Sequence, residues 1–141
     1  MRFLLSVFCL LCLAALVYAP PPVFAQAQPP TTTQMGDPVA GAKTFRKCRA
    51  CHMVGEKAKN RVGPHLNNIV EGKVAQVAGF NYSKAMRAYA QSQPIWTEAA
   101  LDAYLTQPSS VVKGGRMAFA GLKKAKDRLD VIAYLKKFST Q

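Results

Sequence analysis

The sequence predicts an all-α domain with long loops, and three observations carry that reading. No segment alternates apolar and polar residues with period two for long enough to make a strand. Several segments instead carry apolar residues at helical spacing, each opened by a residue suited to cap a helix. The stretches between them are long and rich in glycine and proline, so something other than helix-on-helix packing fills the centre.

The first helix starts at Asp37, a capping acid followed by Pro38 at the first helical position. It runs toward Cys48, with Gly41 and Phe45 on one face. From Gly55 to Gly79 the text is loop-like and is broken by "VGPHL", Val62 to Leu66. Ser83 caps a short helix through about Ala90. Thr97 caps another, and Trp96 and Leu101 occupy the two positions of a hydrophobic staple around it. That helix presents Leu101, Tyr104 and Leu105 on one side and stops before Pro108. Pro108 to Gly121 reads as a long loop containing Gly114, Gly115 and Gly121. The last helix, about Ala125 to Phe138, carries Val131, Tyr134, Leu135 and Phe138 at 3.6-residue spacing, with Lys136 and Lys137 complementing its dipole.

The chain has 141 residues, room for one domain. Behind Arg2, residues Phe3 to Ala19 are uncharged and almost wholly apolar, the pattern of a secretory signal peptide. "VYA" is followed by Pro20, a poor residue after a cleavage point, so "VFA" ending at Ala25 is the expected site. The rival is an uncleaved membrane anchor over residues 3–19, at the lower length limit for a span. The expected organisation is a signal peptide at 1–25, a polar Pro- and Thr-rich disordered lead-in at 26–37, and a folded domain at 38–141. About 100 folded residues make a thin core, of the size that often needs a staple or cofactor.

Two CxxC motifs occur. "CLLC", Cys9 to Cys12, lies in the apolar run, where cysteine acts as a small hydrophobe and is discarded on cleavage. The other, "KCRACHMVG", places His52 directly behind Cys48 and Cys51. A local disulfide would leave His52 unexplained and close too short a loop to stabilise much. A thioredoxin-type pair expects a preceding strand, and here a helix precedes. Zinc needs four ligands, and beyond these three only His65 remains. CxxCH is the attachment signature of c-type haem: two thiols become thioethers and the following imidazole binds iron. Such a flat apolar group also supplies the missing core.

The candidates for the sixth iron position are His65, Met35, Met53, Met86 and Met117. Met35 lies in the lead-in, Met53 is too near His52 in sequence, and His65 shares the loop of His52. Met86 sits on an apolar helix face, where methionine is usually core. Met117, in "GGRMAF" and 65 residues from His52, is free of helical constraint and is chosen. Axial Met with His keeps haem for electron transfer.

From Gly41 to Phe138 the sequence resembles the small class I c-type cytochromes, of the bacterial cytochrome c2 and c-550 kind, related to mitochondrial cytochrome c. The motifs come in family order: Gly41 and Phe45, Cys48-Arg-Ala-Cys51-His52, "VGPHL", "GFNYS", "WTEAALDAYL", "RMAFAG" and "DVIAYLKKF". The resemblance implies a small cytochrome c fold of four to five short helices around one covalent haem c and its iron. It further implies that the Pro64 carbonyl accepts from the second nitrogen of His52. Tyr104 is placed beside the Met117 sulfur, and Tyr82 and Trp96 at a haem propionate. Gly41 and Phe45 are expected to cross Val131 and Tyr134 where the terminal helices meet. Two positions depart from the family: Gly72 stands where an arginine is usual, and Gly115 where a threonine is usual.

The expected function is a periplasmic monohaem electron carrier, a monomer and not an enzyme. Its iron cycles between ferric and ferrous, and it serves membrane redox complexes or periplasmic reductases through their acidic surfaces. Quinol–cytochrome c oxidoreductase, a terminal oxidase or a reaction centre are the membrane complexes expected. A peroxidase or nitrite reductase would need an open sixth position and a distal acid or base, which "GGRMAF" does not bring. A gas sensor would need a labile or absent Met ligand. The formal charge of +12 raises nucleic acid as a partner, but export and the absence of a binding motif argue against it. After cleavage the net charge is +11; residues 38–55 hold +4 and residues 103–126 hold +5, neither containing an acid. These segments border the expected haem, as a docking face requires.

Overall fold

The computed structural model describes residues 35–139. The expected signal peptide, the "CLLC" motif and most of the lead-in lie outside the described residues. Among the described residues five helices follow in order: α1 Pro38–Phe45, α2 Lys84–Ser92, α3 Glu98–Thr106, α4 Pro108–Val111 and α5 Ala125–Lys136. Among the described residues there is no strand, only an isolated antiparallel bridge between Lys73 and Ile95. No described helix is long and apolar enough to cross a membrane.

The three capping side chains sit where the sequence puts them. Asp37 accepts from the Val39 N–H at 2.8 Å, Ser83 from Met86 at 3.0 Å and Thr97 from Ala100 at 3.1 Å. Each satisfies an N–H that the helix itself cannot. The stretch after Pro108 differs from the long loop expected there. Pro108 fixes the first position of α4, and the Val112 N–H returns to its carbonyl at 2.9 Å. Four residues are too few to leave a periodic signature, so this turn was invisible in the pattern. The last helix ends at Lys136, and Lys137 and Phe138 continue it as hydrogen-bonded turns.

Helices α1 and α5 pack closely because Gly41 lets them. A Cβ at Gly41 would fall 1.9 Å from the Asp130 carbonyl oxygen and 2.7 Å from Tyr134 Cβ. One turn along, the rings of Phe45 and Tyr134 lie 5.3 Å apart. Asp130, buried on α5, accepts from the Asp37 N–H and from Lys126 Nζ, both at 2.7 Å. The aspartate thus ties the start of α1 to α5. Lys126 first, then the Asp37 N–H, holds its carboxyl below the usual carboxylate range, although burial opposes this. The core runs from Phe45 through Trp96, Leu101, Tyr104 and Leu105 to Val131, Ile132 and Leu135. It forms one wall of a large cavity.

Candidate functional site

Residues after α1 wind into helical turns that carry the motif. The N–H groups of Cys51 and His52 both return to the Cys48 carbonyl, at 3.1 and 2.9 Å. Cys48, Cys51 and His52 therefore line a single cavity of about 700 Å³. Both cysteines are free thiols. Burial pushes the Cys48 thiol up, against the pull of Lys47 and with the help of Cys51.

The imidazole of His52 is fixed from two sides. Its Nδ1 lies 2.7 Å from the Pro64 carbonyl oxygen. A carbonyl only accepts, so Nδ1 carries the proton and the lone pair is left on Nε2. Behind the ring, a Cβ at Gly63 would fall 2.4 Å from His52 Cε1, so only glycine lets the loop lie against it. The Gly63 N–H bonds the Cys51 carbonyl at 3.0 Å and locks that approach. Burial pulls the His52 pKa down, with the Pro64 bond opposing, and this favours the neutral, ligating form.

All eight residues singled out from the sequence line this one cavity: Cys48, Cys51, His52, Pro64, Tyr82, Trp96, Tyr104 and Met117. The Tyr104 hydroxyl donates to Met117 Sδ at 3.3 Å. Burial, with Tyr89 adding, pushes the Tyr104 pKa up to about 12, so the phenol remains a donor at any ordinary pH. Trp96 is buried between Tyr89 and Tyr104. Tyr82 packs edge-on to Phe80 at 4.8 Å; burial raises its pKa and the Val77 backbone opposes the rise. Of the other candidates for the sixth position, Met86 reaches the lining, whereas His65, Met53 and Met35 do not.

Several polar residues at or near the lining were given no role from the sequence. Asn60 bridges two loops, its amide donating to the Ala78 carbonyl at 2.9 Å and its oxygen accepting from the His65 N–H at 3.1 Å. Arg116, next to Met117, reaches the Asn81 carbonyl, and Arg87 reaches that of Tyr82. These contacts join residues 5 to 35 positions apart, beyond what local pattern reveals. Lys73, beside Gly72, does not line the cavity. Lys47, Arg61 and Arg116 are the cations that do.

Among the described residues no three His, Cys, Asp or Glu side chains converge as a zinc site would require. Two free thiols, an imidazole whose Nε2 keeps its lone pair, a thioether sulfur and a large, mostly apolar cavity suit a haem held through sulfur. Cytochrome c2 of Rhodomicrobium vannielii is 51% identical over 100 residues, covering 71% of this chain and 78% of that one. The chain belongs to the cytochrome c2 family of class I c-type cytochromes. Cytochrome c-550 of Ancylobacter novellus is 45% identical over 102 residues, covering 72% of this chain and 95% of the relative. The solved structure of cytochrome c2 from Rhodospirillum centenum superposes with a TM-score of 0.70 at 36% identity, over 74% of this chain and all 100% of that one. No protein-family model matches the chain. Cytochromes c2 carry one covalently attached haem c with its iron and act as electron carriers, not enzymes. The all-α fold with no strand among the described residues is theirs as well.

Proposed function

We propose that this member of the cytochrome c2 family is a periplasmic carrier whose haem is tethered by Cys48 and Cys51 and ligated by His52 and Met117. The observation that carries the reading is the pair of oriented donor atoms on one cavity: His52, held through Nδ1 by Pro64 at 2.7 Å, and the Met117 sulfur, met by Tyr104 at 3.3 Å. Bound there, the haem supplies a one-electron change between ferric and ferrous iron.

The chain's own residues do the rest. Cys48 and Cys51 would hold the haem through thioether bonds. The Pro64 carbonyl fixes the tautomer and plane of His52. Tyr104 restrains the Met117 sulfur, and the Trp96 indole N–H and the Tyr82 hydroxyl would serve the haem propionates. Leu66, Leu101, Leu105, Val131 and Leu135 exclude water from the faces, so little solvent rearranges when the charge changes.

The same reading includes export. A signal peptide at residues 1–25 is cleaved after Ala25, a lead-in at 26–37 follows, and the folded domain at 38–141 is released as a monomer. Its partners are membrane redox complexes or periplasmic reductases that offer an acidic surface to the basic segments around the haem. Lys113 and Lys123 are exposed in these segments, whereas Lys47 pairs with Asp127 at 3.7 Å. The test is the mass and absorption spectrum of protein purified from the periplasm. A chain starting at Gln26 with one haem added is expected. A chain retaining residues 3–19 would replace release by anchoring.

A further inference from the structure

The guanidinium of Arg128 is shared between a helix and a loop. Its Nε lies 2.7 Å from Asp102 Oδ1 and its Nη2 3.4 Å from Asp102 Oδ2, a fork on a carboxylate. Its Nη1 donates to two successive carbonyls, Leu122 at 2.9 Å and Lys123 at 3.2 Å. The side chain is only 11% exposed, so water competes little for these contacts. From α5, Arg128 therefore holds both α3 and the end of the loop that carries Met117.

That loop has little of its own to hold it. Between Val112 and Leu122 it contains Gly114, Gly115 and Gly121, and glycine-rich chain gains much freedom on opening. Its bonds to itself are short-range: the Gly115 N–H to the Val112 carbonyl at 3.0 Å, and the Phe119 N–H to the Met117 carbonyl at 3.1 Å. The loop's place is set by its anchors. Where it leaves, Gly121 crosses the end of α3 so closely that a Cβ would fall 2.2 Å from the Thr106 carbonyl oxygen. The Leu122 N–H bonds the Leu105 carbonyl at 2.7 Å, and Arg128 takes the carbonyl of the same residue. Two positions along α3 from Asp102, Tyr104 donates to the Met117 sulfur.

We propose that Arg128 is the residue that positions the Met117 sulfur. It fixes the end of the loop to α3, the helix whose Tyr104 meets that sulfur, and so sets how often the loop opens. The proposal rests on Met117 being the iron ligand. Lysine at 128 would keep the charge, but a single ammonium lacks the planar fork that serves Asp102 and both carbonyls together. A plain clamp between α3 and α5 is a different role. The pair of Glu98 with Lys136 joins the same two helices, at the opposite end of α3 from Leu105 and Thr106.

The experiment titrates the ferric holoprotein with imidazole, which takes the sixth position only when Met117 leaves it. Loss of the sulfur-to-iron band reports binding, and amide hydrogen exchange reads the Leu122 N–H in parallel. Arg128→Gln is expected to bind imidazole roughly 10-fold more tightly or better, with Leu122 exchanging faster by a similar factor. Arg128→Lys and Asp102→Asn fall between it and the native protein, and they decide the matter if Arg128→Gln does not fold. Lys136→Gln removes the other pair between α3 and α5, and Ile132→Val trims a buried α5 side chain that does not line the cavity. Both leave imidazole affinity and Leu122 exchange native even where the denaturant midpoint falls. Native affinity in the Arg128 variants, with the band lost in Met117→Ala, would overturn the positioning role and leave the ligand assignment standing. An equal rise in Ile132→Val would overturn it too, by making the effect one of global stability. A band retained in Met117→Ala would overturn the ligand assignment and the positioning role with it.

Discussion

The hydroxyl of Tyr104 donates to the sulfur of Met117 across 3.3 Å, joining α3 to the loop that follows α4. That donor draws electron density from the sulfur and, in the proposed ligation, would make it a weaker base toward ferric iron. Tyr104→Phe keeps the ring and removes the donor, so the ferric state gains and the midpoint potential falls. A hydrogen bond worth about 0.5–1.5 kcal/mol corresponds to a shift on the order of tens of millivolts. Spectroelectrochemical titration of the two proteins checks both sign and size, and a higher potential in the variant would contradict the geometry's role.

Cofactor and core are one structure here, because the apolar walls face a cavity of about 700 Å³. Cys48→Ala combined with Cys51→Ala is expected to abolish the holoprotein and leave a chain of low helicity that proteases cut readily. Circular dichroism and limited proteolysis measure this. A haem-free variant with native helicity and native protease resistance would separate folding from the cofactor.

Asp130 makes the junction of α1 and α5 sensitive to acid. Its pKa is lowered in the folded protein, by Lys126 first and the Asp37 N–H second. The stabilisation is therefore complete above the ordinary carboxylate pKa of roughly 4 and is lost as pH falls through the lower folded value. Asp130→Asn removes this acid limb and lowers stability near neutrality by about 1–3 kcal/mol, the cost of a buried charged hydrogen bond. Denaturant titrations between neutral and strongly acid pH give the slope. An acid limb unchanged in the variant would remove Asp130 from the account.

The docking proposal distinguishes free lysines from paired ones. Lys136 is bound to Glu98 and Lys47 lies 3.7 Å from Asp127, whereas Lys113 is exposed and Lys123 touches only the Thr106 carbonyl, at 3.4 Å. Steering by the basic segments raises association by about 10 to 10³-fold at low salt. Electron-transfer rates with an acidic partner should then fall steeply as ionic strength passes about 0.1 M. Charge reversal at Lys113 or Lys123 is expected to slow association more than reversal at Lys136. Stopped-flow rates across a salt series decide, and a flat dependence or equal effects would leave these lysines only a solubilising role.

The parts legible in the sequence are those written over a few residues. Asp37, Ser83 and Thr97 cap helices because each side chain meets an N–H two or three positions on. Cys48, Cys51 and His52 announce themselves because their spacing is the chemistry. Pro64 and Tyr104 came from the family pattern, and the geometry beside His52 and Met117 gives that pattern its physical content. What stayed hidden is either very short or long-range. The four residues of α4 leave no period, and the Asp37–Asp130 bond spans 93 positions. The Asn81 carbonyl is reached by Arg116 across 35 positions, which neither segment encodes alone. Tyr89 lies on a helix without a buried face, so nothing local marks its stacking on Trp96.

The central claim, that His52 and Met117 hold the iron between them, is tested most directly by the sulfur-to-iron absorption band of the ferric holoprotein. Spectra of Met117→Ala, Met86→Ala and His65→Ala are compared with the native one, and carbon monoxide is added to each ferrous form. Met117→Ala is expected to lose the band and bind carbon monoxide, while Met86→Ala and His65→Ala keep the band and exclude the gas. Loss of the band in Met86→Ala or His65→Ala, with Met117→Ala retaining it, would contradict the account.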